Sequence, residues 1–200
     1  MTRLSNEYFG QWIDPSRAVR FTFEGQAIQA LEGDSVASAL LANNYWLQSR
    51  SFKYHRPRGP LTLCGHDANT LVQTSKAPNV LADHLSAKHA LCVTGQHYTG
   101  RLRLDLSRSL DWVGRFLPVG FYYKAFFKPR GIWAYWEPIV RKAAGLGVSN
   151  LSVEAPYNDK TYVFCDVAVI CGGPAGLNAA LLAAHSGAQV ALIEQYAHLG

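Results

Sequence analysis

Residues 167–194 read VAVICGGPAGLNAALLAAHSGAQVALIE. The uncharged run Val167–Ile170 is typical of a parallel strand that is buried on both faces. A glycine-rich turn, Cys171–Gly176, follows at once and opens an apolar stretch with helical spacing that ends at Gly187. A second short apolar strand, residues 189–193, then closes on an acidic residue. This order predicts one βαβ unit of a Rossmann-type nucleotide-binding sheet.

The glycine turn has the residue types that hold a dinucleotide. Gly173 lets the backbone approach a pyrophosphate, and Gly176 lets the helix pack closely on the strand. Free N–H groups at the start of the helix bind phosphate. Glu194 ends the second strand, where a carboxylate can accept a hydrogen bond from a ribose hydroxyl. The predicted cofactor-binding residues are Cys171, Gly172, Gly173, Pro174, Ala175, Gly176, Glu194 and Gln195.

Two features depart from the usual fingerprint. Cys171 stands where the first glycine is expected, at a tight turn in which a Cβ is crowded. It is either a tolerated small side chain, which we favour, or a redox-active thiol. The sequence also ends at Gly200, after one βαβ unit of a sheet that needs more strands. We therefore expect an incomplete dinucleotide-binding domain, and a 200-residue chain that is inactive alone and binds nucleotide weakly.

The first third of the chain predicts a ferredoxin-like β-grasp. Residues 19–23 alternate apolar and polar side chains, as a half-buried strand does. Glu24-Gly25 forms a turn, and residues 27–31 return as the second strand of a hairpin. Asp34 is the predicted N-cap of a helix over residues 35–42. A hairpin followed directly by a helix is the opening of a β-grasp.

The connector between these two regions is rich in aromatic residues, which crowd together between residues 112 and 136. Short helices interrupted by Pro118, Pro129 and Pro138 are predicted there. The aromatic side chains form either a connecting core or a docking surface for another domain or subunit, because exposed aromatic patches mark interfaces. The stretch GLGVSN over residues 145–150 is interpreted as a linker.

Together these segments predict an α+β chain of four parts. They are an N-terminal arm over residues 1–17, a β-grasp domain over 18–104, an aromatic-rich helical connector over 105–160, and an incomplete Rossmann-type dinucleotide-binding domain over 161–200.

Composition excludes several classes of protein. The net charge is +5 and the pI is about 9.1, but the basic residues are dispersed apart from the cluster Lys53–Arg58. No zinc-finger spacing, basic helix or RNA-binding signature is present, so no nucleic-acid partner is predicted. The N-terminus lacks the apolar region of a signal peptide, and glycines interrupt the apolar stretch over residues 162–193. We expect a cytoplasmic protein with reduced thiols and no membrane span.

Three longer motifs resemble a known family. They are GQAIQALEGDSVASALLANN over residues 25–44, SFKYHRPRG over 51–59 and GFYYK over 120–124. With the glycine turn, they resemble the alpha subunit of heterotetrameric sarcosine oxidase, whose relatives occur in opine oxidases and hydrogen cyanide synthase. The resemblance covers about residues 16–196. It implies oxidative demethylation of sarcosine or a related secondary amine. It also implies NAD bound by this chain, with FAD as the alternative, and a beta subunit that carries the oxidising flavin.

The resemblance allows a test for an iron–sulfur cluster. Relatives with a [2Fe–2S] cluster carry C-x4-C-x2-C just after an Arg-Gly, and a fourth cysteine later, because four thiolates converge on two irons. Counted from Arg58-Gly59, these positions hold Thr62, Asp67 and Thr70, and the fourth falls near Asp83. None of them is cysteine, so we predict no cluster.

No other metal ligand and no catalytic residue is predicted. A group of metal-binding residue types matches no zinc spacing: Cys64, His66, Asp67, His84 and His89. The leading hypothesis is a subunit, or an N-terminal fragment, of an amine oxidoreductase. The alternatives are a non-catalytic assembly module that docks onto a flavoprotein, and an inactive truncated gene product.

Overall fold

The computed structural model describes Arg3, residues 12–112, Gly120, residues 128–154, residues 157–196 and Leu199. The chain forms two compact units, Met1–Val153 and Glu154–Gly200. Within the described residues, no helix is both long and apolar enough to cross a membrane.

The first unit contains a set of strands and two α-helices within the described residues. The strands are β1 (Asp14–Phe23), β2 (Gln26–Glu32), β3 (Ser49–Arg50), β4 (Pro57–Arg58), β5 (Leu71–Thr74), β6 (Val80–Leu81) and β7 (Cys92–Gly95). The helices are α1 (Val36–Ala42) and α2 (Trp133–Ala143), and a short 3₁₀ helix spans Leu106–Asp111.

The sheet confirms the β-grasp prediction. Its five strands lie in the order β2-β1-β7-β5-β6. Strands β1 and β7 pair in parallel, and the other neighbouring strands of the sheet pair antiparallel. Strands β3 and β4 form a separate small hairpin. The parallel pair places the first and the last long strands side by side at the centre of the sheet. The β1–β2 hairpin and α1 therefore open a β-grasp, as the sequence predicts.

The core lies between α1 and one face of this sheet. Val19, Phe21 and Phe23 are buried on β1 and alternate with less buried neighbours. From the helix, Val36 and Leu40 contribute fully buried side chains to the same cluster. Burying a side chain such as Phe21 stabilises the fold by about 1.5–3 kcal/mol. The alternation of apolar and polar residues along β1 thus places every second side chain in this core.

The N-cap of α1 is Ser35, so the prediction of Asp34 is wrong. The hydroxyl of Ser35 accepts a hydrogen bond from Ser38 N at 3.1 Å. Asp34 is buried and its carboxylate accepts from Leu31 N at 2.8 Å and from the Ser38 hydroxyl at 2.9 Å. Both guanidinium N–H groups of Arg3 also donate to it. Asp34 therefore joins the end of β2 to the helix start, and the cap is one residue later.

Pro138 lies inside α2 and does not interrupt it, contrary to the prediction. A proline removes the hydrogen bond to the carbonyl four residues earlier, yet the helix continues to Ala143. Arg141 Nε donates to Glu137 Oε1 at 2.6 Å, so an i,i+4 ion pair spans the proline. Pro129 lies before the helix, and Pro118 lies outside the described residues.

The stretch over residues 145–150 packs on the sheet and is not a free linker. The side-chain amide of Gln73 donates to Val148 O at 3.0 Å and accepts from Val148 N at 2.9 Å. Asn150 Nδ2 donates to Ser75 O at 2.9 Å. These bonds fix the stretch beside β5. Its glycines allow a close approach to the sheet, and they do not indicate flexibility here.

The second unit is a βαβ unit, as predicted. Strands β8 (Val167–Ile170) and β9 (Val190–Ile193) pair in parallel, and α3 (Pro174–His185) connects them. No residue of α3 is buried, and Ile170 and Leu182 are 79% and 62% exposed. Helices cover both faces of a larger parallel sheet. The apolar faces of this unit are therefore suited to further packing.

Candidate functional site

The turn after β8 places backbone donors at the start of α3. Cys171 N donates to Ile193 O at 2.8 Å, which ends the strand pairing. Gly173 is the N-cap of the helix, and Pro174 takes the first helical position. Leu177 N makes an intrahelical bond to Gly173 O at 2.9 Å. The N–H groups that precede Leu177 in the first turn have no intrahelical acceptor, which is the arrangement that binds phosphate.

The two glycines of the turn have different surroundings. A Cβ placed on Gly176 would lie 1.9 Å from Cys171 O, so only glycine lets the helix pass this close to the strand. Among the described residues, a Cβ on Gly173 would meet only Cys171 Sγ, at 3.7 Å, which is an ordinary contact. Packing therefore requires glycine at position 176 and does not require it at position 173. Close approach of a bound pyrophosphate would account for glycine there.

Glu194 lies against the same turn. Its Oε2 accepts from Gly172 N at 2.5 Å, and its Oε1 accepts from Gln195 N at 2.7 Å and Tyr196 N at 3.0 Å. The structure thus brings the carboxylate predicted to bind ribose to the backbone predicted to bind phosphate. The position of Gln195 is set by its own N–H, which donates to Glu194.

Cys171 occupies a backbone conformation that favours glycine. Its φ is +92°, in the region that L side chains rarely adopt. The side chain is exposed and forms no disulfide. The turn therefore keeps the glycine geometry of the fingerprint although its first glycine has been replaced.

The loop after Arg58-Gly59 brings together the positions that hold cluster ligands in relatives. Asp67 is buried, and its Oδ2 accepts from Leu61 N at 2.5 Å and Thr62 N at 3.0 Å. Asp67 N donates in turn to Asp83 Oδ2 at 2.9 Å. Burial acts to raise the pKa of the Asp67 carboxyl, but N–H groups including those of Thr62 and Leu61 outweigh it and hold this pKa below its ordinary value.

A buried polar cluster explains part of the motif SFKYHRPRG. His55 Nδ1 lies 2.8 Å from Asp105 Oδ2, and Arg50 Nε lies 3.7 Å from the same oxygen. Arg50 also donates to the carbonyl groups of His55 and Leu102, at 2.7 and 2.8 Å. Burial lowers the pKa of Arg50, and the charge of Asp105 opposes this shift. The cluster fixes the β3–β4 hairpin to the segment that follows β7.

Sequence reasoning missed this cluster, because Asp105 lies far from the motif along the chain. A local signal was available in the composition of the hairpin. No Asp or Glu lies between residues 44 and 66, the stretch that contains Arg50 and His55. A buried cation in this stretch therefore requires an acidic partner from elsewhere in the chain.

No group of three or more His, Cys, Asp or Glu side chains suited to a metal ion occurs in the part of the chain that the structure describes. The cysteines are free, and Cys64 and Cys92 of the first unit are exposed.

Two family models match the chain. Residues 16–98 match "2Fe-2S iron-sulfur cluster binding domain", and residues 166–200 match "FAD dependent oxidoreductase". The first match covers the β-grasp strands described above, and the second covers the βαβ unit with its glycine turn.

Three curated proteins are similar to nearly the whole chain, and each is called sarcosine oxidase subunit alpha. The protein of Rhizobium meliloti (strain 1021) is 40% identical over 92% of this chain and 19% of its own length. That of Corynebacterium sp. (strain P-1) is 30% identical over 94% and 15%, and that of Corynebacterium sp. (strain U-96) is 29% identical over 96% and 16%.

The chain therefore spans less than a fifth of the length of these relatives. A solved structure, L-proline dehydrogenase from P. horikoshii, aligns with 92% of this chain and 26% of its own at 22% identity and a TM-score of 0.49. The three sequence relatives confirm the resemblance that the motifs indicate: over the segment that they share, this chain is similar to sarcosine oxidase alpha subunits.

Proposed function

We propose that this chain is the dinucleotide-binding N-terminal part of an amine oxidoreductase subunit that oxidises sarcosine or a related secondary amine. The subunit works with other subunits, including one that carries the oxidising flavin. The alpha-subunit names of the relatives and the match to an FAD-dependent oxidoreductase model support this proposal. The substrate is a small amine and the partners are proteins.

The observation that carries the proposal is Gly173, where packing does not require a glycine. Gly176 is required by packing, whereas the space at Gly173 is open within the described residues. Glu194 lies beside it through the bond to Gly172 N. A pyrophosphate on the helix start and a ribose near the carboxylate fit this arrangement.

The bound dinucleotide is NAD or FAD. The family match favours FAD, and the resemblance to sarcosine oxidase alpha subunits implies NAD. Both have the same pyrophosphate and adenosine ribose, which are the groups that Gly173 and Glu194 would contact. When bound, either cofactor supplies two-electron redox chemistry. This chain would bind and orient it, and no residue described here is assigned a catalytic role.

The activity can be tested with the full-length protein and its partner subunits. Oxygen consumption should depend on sarcosine or another secondary amine, and primary amines should be poor substrates. Gly173→Val should lower the activity, because the branched side chain would occupy the pyrophosphate position. Ala179→Val is the matched control, since it enlarges the side chain to valine at an exposed position of the same helix. Absence of amine-dependent oxygen uptake in the assembled protein would contradict the proposed activity.

A second candidate function is assembly, and the exposed aromatics of the connector favour it. Trp112 and Tyr135 are 87% and 77% exposed. Aromatic side chains in water are typical of interfaces. If they dock another subunit, Trp112→Ser with Tyr135→Ser should weaken copurification of the partners while the fold is unchanged. A double variant that assembles normally would contradict this role.

A further inference from the structure

The positions of the cluster ligands in relatives converge in this protein, but on oxygen atoms. Thr62 N donates to Asp67 Oδ2, and Asp67 N donates to Asp83 Oδ2. Ala82 N donates to Thr70 O at 3.0 Å, which brings the third and fourth positions together. The register counted from Arg58-Gly59 is therefore a real spatial grouping.

This grouping does not fit a [2Fe–2S] cluster. Such a cluster needs four thiolates, and the four positions supply hydroxyl and carboxyl groups. Cys64 is exposed and lies between the register positions, and Cys92 is exposed on β7. Of the four side chains, the carboxylate of Asp67 is bonded to N–H groups of the loop, and none of the four supplies a thiolate.

A cluster and a carboxylate have one property in common, which is negative charge. Cluster sulfur atoms accept hydrogen bonds from backbone N–H groups around them. Here the carboxylate of Asp67 accepts from Leu61 N, Thr62 N and Asn69 N, at 2.5, 3.0 and 2.8 Å. Hydrogen bonds to a charged acceptor are about twice as strong as neutral ones. One buried anion can therefore fold the loop.

We propose that Asp67 replaces the iron–sulfur cluster as the anion that organises the loop over residues 59–70. The β-grasp unit is then a scaffold and carries no electrons. This inference concerns the first unit and does not depend on the function proposed for the second.

The first test is hydrogen exchange in the full-length protein. Asp67→Asn keeps the size of the side chain and removes its charge. The amides of Leu61, Thr62 and Asn69 should exchange about tenfold faster or more, as expected for the loss of hydrogen bonds to a charged group. Asp14→Asn is the control, because this exposed carboxylate accepts from Ser16 N in another part of the unit. Unchanged exchange in Asp67→Asn would overturn the proposal.

The second test needs no variant. The wild-type full-length protein is incubated anaerobically with Fe²⁺, sulfide and a thiol reductant, and is then desalted. No acid-labile sulfide and no visible charge-transfer absorption should remain with the protein. Retention of about one [2Fe–2S] cluster per chain that disappears in Cys64→Ser would show that iron, and not Asp67, organises this loop.

Discussion

The two units differ in where they place polar and apolar side chains. In the first unit, Arg50, His55 and Asp105 are buried and bonded to one another. In the second unit, Ile170 and Leu182 are largely exposed. The first unit pairs these three buried groups with one another and closes its own core. The second unit presents exposed apolar side chains and a helix start with backbone donors.

The two units also differ in how their loop-bonded carboxylates, Asp67 and Glu194, are buried. Asp67 is buried and accepts hydrogen bonds from backbone N–H groups of its own loop. Glu194 is half-buried at the end of β9 and accepts from Gly172 N across the sheet. Asp67 thus has a structural role in the first unit, whereas binding of a ribose by Glu194 is the role that we propose in the second.

The largest expected effect is on the buried charges of the first unit. Asp105→Ala should lower the free energy of unfolding by about 3–5 kcal/mol, because it leaves Arg50 buried without its anion. Glu32→Ala removes the exposed partner of Arg17 and should cost far less, because solvent screens this pair. Urea denaturation measures both variants. Equal losses would contradict the distinction between buried and exposed pairs.

The two glycines of the dinucleotide turn should respond differently. Gly176→Ala should destabilise the second unit by about 1–3 kcal/mol or more, because the new Cβ meets Cys171 O. Gly173→Ala should cost less than this, since its new Cβ has room and the change only makes the N-cap poorer. Thermal denaturation of the full-length protein measures both. A larger loss for Gly173→Ala would mean that this glycine is structural.

Glu194→Ala should weaken dinucleotide binding by about 1–3 kcal/mol, as expected for a lost hydrogen bond to a charged group. Asp67→Ala should leave the affinity unchanged, because it acts on the other unit. Equilibrium dialysis of the full-length protein with NAD and with FAD gives the two dissociation constants. If Asp67→Ala changes affinity as much as Glu194→Ala, the assignment of separate roles is wrong.

The carboxyl of Asp67 also predicts a pH dependence. Its folded-state pKa lies below the ordinary value of 3.8. Its contribution to stability is therefore complete above that value and is lost as the pH falls through the lowered folded-state pKa. Urea midpoints of wild type and Asp67→Asn should differ at neutral pH and converge in strong acid. A constant difference would show that ionisation of Asp67 has no part in folding the loop.

The smallest expected effect is at the replaced glycine. Cys171→Gly should stabilise the second unit by about 1 kcal/mol, because glycine adopts a φ of +92° without strain. Dinucleotide affinity should be unchanged or higher. Loss of affinity in Cys171→Gly, measured by calorimetry, would indicate that the thiol itself contacts the cofactor.

Local patterns predicted much of this fold. The alternation of Val19, Phe21 and Phe23 identified β1, and the order of strand, glycine turn and helix identified the βαβ unit. These features depend on neighbours in sequence. The N-cap is Ser35 and not the neighbouring Asp34. Side-chain hydrogen bonds decide between these two adjacent residues, and a local pattern does not show them.

Long-range contacts could not be predicted in this way. The bonds of Gln73 to Val148, and of His55 to Asp105, join residues far apart in sequence. A glycine-rich stretch has the composition of a linker until a partner for its backbone is known. The predicted site residues do lie together at one turn, whereas their contacts with a cofactor remain a prediction.

The most direct test of the account is a calorimetric titration of the full-length protein with NAD and with FAD. Wild type and Ala179→Val should each bind one of the two dinucleotides stoichiometrically, and Gly173→Val should lose that binding while its thermal stability is retained. Equal affinity in Gly173→Val and wild type, or no binding of either dinucleotide by wild type, would contradict the assignment of a dinucleotide site to this turn.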